Sequence, residues 1–515
     1  MSATLRVFLL GSLYFGCAKS DGLAQSIAAP WSGHGHDAQH TGVSFFASKP
    51  LQSIHWQTPV DLLPQYSGSV LLIHYGCPLI TRANTVILPV KTGAHDGFRI
   101  EAHRAADGAL VWTQTTDFSV SVPGSYGWTP SCGITLTPKN RVYFPGAGGT
   151  VYFRDDPDVD PAPNSGQVAF YGLDYYLDDS DTRAAFDSAV KINTPLTSDR
   201  YGNIYFGFQV ATGAVTTPQL QSGIARITPE GTGSWVAASA AVNDSSIFQV
   251  VTNCAPALSN DHKTLYVAVS RGDFTGGYLV ALDSRTLATQ ASVELRDVKY
   301  PNQNALLPDD GTASPTIGPD GDVYFGVFES SIGENNERGW LLHFDSGLSQ
   351  VKTAGAFGWD DTPSVVAASL VPSYTGASSY LLLCKYNNYA GIGSGNGHNR
   401  VAILDPNAAA TDPITGATVM QEVISVLGPT PDPAHNSPGA VREWCINSAA
   451  IDPFSKSAII PNEDGRAYRW DFASNSLTES LELTNGLGEA YTPSVVGVDG
   501  LVYLISNATL FAVGN

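Results

Sequence analysis

Acidic and aromatic side chains collect at three points where an apolar, β-rich segment is about to begin. The set comprises Trp359, Asp360, Asp361, Arg442, Glu443, Trp444, Glu489 and Tyr491. Carboxylates and an arginine can hydrogen-bond a polar ligand, and aromatic rings can cover its apolar side. Two carboxylates held at the right separation could also cleave a glycosidic bond by acid–base catalysis. The sequence therefore predicts a pocket for a polar ligand such as a sugar, with loop anchoring and packing as the structural alternative.

A second acidic group lies in the run RDDPDVDPAPN at 154–164. Asp155, Asp156, Asp158 and Asp160 alternate with Pro and Val there and could offer several oxygens to Ca²⁺. The run lacks the central glycine and terminal glutamate of an EF-hand loop. A solvated acidic loop is thus favoured, and Ca²⁺ remains the one metal that the sequence suggests.

The charge balance excludes two classes of partner. Lys and Arg number 27 against 47 Asp and Glu, a formal net charge of −20. Nucleic acid and anionic membrane surfaces would be repelled by such a chain. Charged residues make up only 14% of the chain, whereas Gly (51) and Pro (32) are abundant, which favours short strands joined by many turns.

The N-terminus is typical of an exported protein. One cation, Arg6, precedes an apolar run from Val7 to Ala18, and small residues suited to cleavage follow. We expect a signal peptide over 1–24 and a secreted or periplasmic protein, with a buried first strand and a lipid anchor on Cys17 as alternatives. No later apolar run is long enough to span a membrane. In an oxidising compartment the remaining cysteines would form disulfides or buried thiols, and their pairing stays open: Cys77, Cys132, Cys254, Cys384 and Cys445.

An internal repeat determines the fold prediction. A polar turn followed by a short, strongly apolar strand recurs at 84–88, 140–144, 202–206, 263–267, 321–325, 379–383, 456–460 and 500–504. Each copy follows another short strand across hairpin residues such as PDGD at 319–322. The segments alternate or run apolar for a few residues, which favours strands over the helices of a solenoid.

These repeats predict an all-β, eight-bladed β-propeller with four-stranded antiparallel blades. The last copy ends at Asn515 after its third strand, and SIHWQTPV at 53–60 has the character of a fourth. We expect this N-terminal strand to complete the last blade, because closure removes exposed strand edges. Residues 25–515 would then form one monomeric domain.

Two stretches resemble the PQQ-like, or quinoprotein alcohol dehydrogenase-like, propellers, which include a scaffold lipoprotein of outer-membrane assembly. WSGHGHDAQHTG at 31–42 is similar to the opening turn of that family, and AHRAADGALVW at 102–112 to its blade signature, with Arg104 where Asp is usual. His34, His36, His40 and Asp37 fall inside that opening turn. The resemblance therefore favours hydrogen bonding to the backbone over a metal cluster for these four residues.

The resemblance also implies what a quinoprotein would need. The family's dehydrogenases use Ca²⁺ held by Glu, Asn and Asp, a base carboxylate, and commonly an adjacent pair of cysteines beside PQQ. No two cysteines are adjacent here, and the nine tryptophans are too few for a full set of blade-docking positions. We therefore expect the scaffold-lipoprotein branch, without an intact PQQ site and without a bound cofactor.

No nucleophile elbow, P-loop or HExxH motif occurs in the chain. The leading hypothesis is a non-catalytic binding or scaffold protein that engages a protein or a glycan through the mouth of its central channel. A secreted carbohydrate-active hydrolase or lyase is the alternative, and a quinoprotein oxidoreductase comes third.

Overall fold

The computed structural model describes residues 29–68, 70–71, 74–94, 97–119, 132–272, 274–308, 313–435, 437–485 and 492–515. The predicted signal peptide, Cys17, Glu489 and Tyr491 lie outside these ranges.

Eight antiparallel sheets follow one another along the chain, and the apolar repeat copies supply the second strand of each. Blades 1 to 4 comprise Leu79–Ile80, Thr85–Lys91, Phe98–Arg104 and Leu110–Thr116; Thr135–Leu136, Arg141–Pro145, Thr150–Asp155 and Ser165–Ala169; Thr197–Ser198, Ile204–Val210, Gly223–Ile227 and Gly233–Ala237; and Ala257–Leu258, Thr264–Ser270, Gly277–Asp283 and Thr289–Glu294. Blades 5 to 8 comprise Thr316–Ile317, Val323–Val327 and Trp340–Phe344; Ser364–Ala367, Tyr380–Tyr386, Arg400–Thr411 and Thr418–Leu427; Ala450–Asp452, Ser457–Pro461, Arg466–Asp471 and Ser476–Glu482; and Val495–Val496, Val502–Ser506, Thr509–Gly514 and Ser53–Pro59. The predicted eight-bladed propeller is confirmed.

Additions to this plan are small. Val190–Ile192 and Gln249–Val250 extend blades 3 and 4 beside their second strands, and Tyr66–Ser67 pairs with Val70–Leu71. The helices are Leu173–Tyr176, Ser180–Ala189 and Ala238–Val242, with short 3₁₀ turns at Ala147–Gly149 and Ala368–Leu370. In blade 5 the outer position is held by isolated bridges, Phe344 with Val351 and Leu341 with Gly355.

Blade 8 is closed by the N-terminal strand, as the sequence predicts. Ser53–Pro59 pairs antiparallel with Thr509–Gly514, with one irregularity between Ile54 and Trp56. The indole Nε1 of Trp56 donates to the carbonyl of Ala105 at 2.7 Å and so ties blade 8 to blade 1. Gly108 has φ +70°, and a Cβ there would lie 2.6 Å from the Trp56 ring. The glycine of the 102–112 signature therefore gives room for the closing strand.

The first strands line the central channel and bond to one another from blade to blade. Ala255 N donates to Ser314 Oγ at 2.9 Å, and Ser314 N donates to Thr362 Oγ1 at 3.0 Å. Thr362 N in turn donates to the carbonyl of Asn447 at 3.0 Å. Such bonds satisfy backbone groups that are buried around the axis.

Residues 31–44, the channel plug, cross one end of this channel. Carbonyls of the plug accept backbone N–H groups of successive first strands: Ser32 from Leu136, Ala38 from Leu258, Gln39 from Ile317, Thr41 from Val365 and Gly42 from Ile451. Trp31 exchanges both backbone bonds with Ile80. Two of its side chains hold the turn: Asp37 accepts the N–H groups of Gln39 and Thr41, both at 3.1 Å, and His40 Nδ1 lies 2.7 Å from the carbonyl of Pro315.

The plug makes stability sensitive to mild acid. Burial lowers the pKa of His34 to about 3 and that of His40 to about 4, so both are neutral in the native state at pH 7. Unfolded histidine binds its proton near pH 6.5, so stability should fall as the pH drops from 6.5 to 4.5, by up to ~1.4 kcal/mol per pH unit for each histidine. Urea unfolding across this range should show a shallower decline for H34Q/H40N than for the unaltered chain. An equal slope in both would contradict the burial argument.

No disulfide joins the five cysteines that the structure describes, all of which are buried. Burial raises the pKa of the Cys77 and Cys254 thiols to about 12. Within the same described ranges, no helix has the length and apolar character needed to cross a membrane.

Candidate functional site

A cavity of about 300 Å³ opens where the inner loops of blades 5, 6 and 7 meet. It lies at the channel end opposite the plug, because its loops join fourth strands to first strands or second to third, whereas the plug binds the far ends of the first strands. We call it the mouth pocket. Its lining residues are Glu337, Trp359, Asp360, Lys385, Asn387, Tyr389, Ala390, Ile392, His435, Glu443, Trp444 and Cys445.

Trp359 and Asp360 reach the pocket through a turn that the backbone fixes. The carbonyl of Arg338 accepts both the Gly358 N–H at 2.9 Å and the Trp359 N–H at 3.0 Å. Asp360 has φ +52°, the left-handed conformation that aspartate adopts more readily than most residues. The Trp359 ring packs edge-on against Phe328 with 5.0 Å between centroids, so the half-buried indole stands as a fixed wall.

Charge in the pocket is concentrated at Asp360 and Lys385. The Lys385 ammonium, at the end of an apolar strand, lies 3.9 Å from Asp360 Oδ2, and both side chains are almost fully buried. Asp361 lies behind this pair, where its Oδ1 accepts the Lys385 backbone N–H at 3.2 Å. Burial raises the pKa of Asp361 to about 7, and the nearby Asp360 adds to the rise while Lys385 opposes it.

The opposite wall belongs to blade 7. Asn387 exchanges two hydrogen bonds with the backbone of Trp444, both at 3.3 Å, and thereby fixes the segment that carries Glu443. The Glu443 backbone N–H donates to Glu463 Oε2 at 3.2 Å. Burial raises the pKa of the Tyr389 phenol well above its ordinary value, and the Glu443 carboxylate contributes. The tyrosine therefore stays a neutral donor at the pocket wall.

The rim of the pocket is cross-linked between loops. Asn336 Nδ2 in blade 5 donates to Asn388 Oδ1 in blade 6 at 2.9 Å, and its Oδ1 accepts the Ser394 N–H at 3.0 Å. Asn399 Nδ2 donates to the carbonyl of Val441 at 2.8 Å. These amide bonds hold the three loops together, as a preformed binding site requires.

The structure brings together half of the residues singled out in the sequence. Trp359, Asp360, Glu443 and Trp444 line the mouth pocket. Asp361 is buried behind its wall, and Arg442 turns away to place Nη1 3.3 Å from Asp432 Oδ1. Glu489 and Tyr491 lie outside the described residues. A role in ligand binding stays a prediction for the four lining residues.

Sequence reasoning missed Lys385, Asn387 and Tyr389. All three follow the apolar strand of blade 6 in the run KYNNY at 385–389. A lysine directly after SYLLLC was the available signal, because a charge that continues a buried strand needs a partner.

The acidic run at 154–164 has other partners for its carboxylates. Arg141 binds both oxygens of Asp155, and Asp160 lies 3.0 Å from Arg154 Nη2. Asn140 Nδ2 donates to Asp156 Oδ1 at 3.1 Å and to Asp158 Oδ2 at 2.9 Å. Across the described ranges no group of three or more His, Cys, Asp or Glu is placed to hold a metal ion. Calcium binding by this loop remains a sequence-based prediction.

No family model matches the chain, and no curated protein sequence matches it. Among solved structures, a europium-containing methanol dehydrogenase is 9% identical with a TM-score of 0.56, over 94% of this chain and 91% of that one. The quinohemoprotein alcohol dehydrogenase of Comamonas testosteroni is 11% identical with a TM-score of 0.51, over 95% and 81%. The quinohemoprotein alcohol dehydrogenase ADHIIG of Pseudomonas putida HK5 is 11% identical with a TM-score of 0.50, over 95% and 76%. At such identities the likeness establishes the fold, and the chain has the propeller fold of the quinoprotein alcohol dehydrogenases.

Proposed function

We propose that the protein is an exported, non-catalytic propeller whose mouth pocket binds a glycan. The observation that carries this proposal is the lining of the pocket, which combines Trp359 and Tyr389 with the polar groups of Asp360, Lys385 and Asn387. Aromatic faces cover the apolar face of a sugar ring, and fixed carboxylate, ammonium and amide groups bind its hydroxyls. A volume of about 300 Å³ is at the lower end of the range for small-molecule sites.

The charges of the lining favour a neutral ligand over a quinone cofactor. PQQ is a polycarboxylate, and the pocket would meet it with the carboxylates of Glu337, Asp360 and Glu443. Lys385, the one lysine or arginine among the described residues of the lining, is already beside Asp360. Without a cation between them, carboxylates of cofactor and pocket would repel each other. These residues therefore do not fit PQQ alone.

Binding is favoured over glycosidic cleavage by the position of Asp361. Its raised pKa is the kind of value that a general acid needs at neutral pH. Yet the carboxyl is 1% exposed and contacts the Lys385 backbone N–H rather than the cavity. A general acid must come within hydrogen-bonding distance of the bond it protonates. We therefore assign Asp361 to the support of the pocket wall.

Substitutions in the pocket should abolish glycan binding. Ligands found on a glycan array would be tested by calorimetry and thermal shift, because a ligand of the folded state raises its melting temperature. W359A should weaken binding by about tenfold or more, since stacking and wall shape are lost together. E443Q should weaken it by a similar factor if the carboxylate accepts from a ligand hydroxyl, because charged acceptors bind more strongly.

Matched controls lie far from the pocket. Tyr201 is 62% exposed on a hairpin at the plugged end of the channel, and Glu230 is exposed on an outer hairpin of blade 3. Y201A and E230Q should bind as the unaltered protein does. Equal affinity in all four variants would place the glycan elsewhere, and no binding across the array would contradict the proposed function itself.

A further inference from the structure

A small apolar slot lies beside the mouth pocket. It has a volume of about 20 Å³, and its lining includes Leu306, Leu307, Phe325, Val327 and Phe328. Leu307, Phe325 and Val327 are each at most 3% exposed, so the walls are held by the core of blade 5. A space of this size admits one water-sized group such as a methyl, and its apolar walls favour the methyl.

Two residues belong to both the slot and the mouth pocket. Trp359 and Asp360 line each of them, and no other residue that the structure describes does so. A ligand seated in the pocket against Trp359 can therefore extend a short substituent past Asp360 into the slot. That substituent needs an apolar end for the slot and a hydrogen-bond donor for the carboxylate, which has several acceptor sites besides the one nearest Lys385.

We propose that the glycan carries an acetamido group, as in 2-acetamido-2-deoxy sugars. Its methyl enters the slot, its N–H donates to Asp360, and its sugar ring occupies the mouth pocket. This inference rests on the proposed glycan-binding function and adds the chemical class of the sugar to it.

Other common substituents satisfy only part of this arrangement. A hydroxyl group leaves the slot empty, and an O-acetyl ester brings a methyl without the N–H. A free ammonium would have to leave water for apolar walls, which is unfavourable. A longer acyl chain exceeds the volume of the slot and would force its packed walls apart.

The test compares oligosaccharides with one backbone and different groups at C2. Cellotetraose, chitotetraose and chitotetraose with N-butanoyl in place of N-acetyl would be titrated into the full chain by calorimetry. Chitotetraose should bind at least about tenfold more tightly than cellotetraose, the typical worth of a methyl in a fitted pocket. The N-butanoyl compound should lose that advantage.

A variant that fills the slot separates this inference from the function on which it rests. Ala313 lines the slot, so A313L should remove the preference for chitotetraose and leave the affinity for cellotetraose unchanged. A408L, in a groove on the outer side of blade 6, is the control and should keep the preference. Equal binding of the two sugars to the unaltered chain, or a preference that survives in A313L, overturns the acetamido assignment while glycan binding stands. Binding of none of the sugars contradicts glycan binding as well.

Discussion

Deletion of residues 1–60 is expected to leave a chain that no longer unfolds cooperatively and that aggregates. The deletion removes the partner of Thr509–Gly514, so the apolar third strand of blade 8 becomes an exposed edge. It also removes the channel plug, whose backbone bonds reach blades 1, 2, 4, 5, 6 and 7. The combined loss should exceed the ~5–15 kcal/mol by which domains are normally stable.

Complementation provides the decisive measurement. A synthetic peptide of residues 29–60, added to the truncated chain during refolding, should restore a cooperative thermal transition if the ring closes as described. A truncated chain that melts cooperatively by itself would show that closure contributes little. The milder substitution W56A should cost about 3 kcal/mol, because it removes the indole bond to Ala105 and the packing on Gly108. I54A, on the outer side of the same strand, should lie within about 0.5 kcal/mol of the unaltered chain.

The closing strand could be predicted because it repeats a pattern found elsewhere in the chain. SIHWQTPV at 53–60 and LVWTQTT at 110–116 both carry a tryptophan in an outer strand. The two indoles make equivalent bonds to the next blade, since Trp56 Nε1 donates to Ala105 of blade 1 and Trp112 Nε1 donates to Pro157 of blade 2 at 2.7 Å. Period-two strands and hairpin residues are local properties, so the sequence carries them directly.

The course of the plug could not be predicted in the same way. The sequence places His34, Asp37 and His40 in a turn, and the structure agrees that Asp37 binds backbone N–H groups of that turn. That the turn also visits six first strands depends on contacts between residues hundreds of positions apart. Such contacts leave no local periodicity. Gly42 is the one trace, because a Cβ there would lie 2.8 Å from the carbonyl of Ala449.

The site was predicted in part for a related reason. Residues that directly precede a first strand must lie near the channel mouth, which brought Trp359, Asp360, Glu443 and Trp444 into the candidate set. The direction of each side chain depends on loop conformation. Arg442 precedes Glu443 by one residue yet contacts Asp432, and Asp361 follows Asp360 yet is buried behind it. One-residue alternation in an extended loop therefore halves the set.

The second large effect is expected at the ion pair between Arg338 and Asp412. Both side chains are at most 2% exposed, and Arg338 Nη2 lies 3.0 and 2.9 Å from the two carboxylate oxygens. Asp412 also accepts the N–H and hydroxyl of Thr415, each at 2.8 Å. Removing either partner leaves a buried charge uncompensated, so R338M and D412N should each cost ~3–5 kcal/mol in urea unfolding.

The double variant R338M/D412N distinguishes pairing from packing. It removes both charges while Asn keeps an acceptor for Thr415, so it should be more stable than either single variant, with a coupling energy of at least ~1.5 kcal/mol. Additive losses would mean that the two side chains act independently. R338M should also weaken glycan binding, because the Arg338 carbonyl holds the N–H groups of Gly358 and Trp359 and thereby the wall of the mouth pocket. If that wall depends on the pairing, the double variant should recover binding together with stability, whereas recovery of stability alone would show that the turn at 358–360 is held without it.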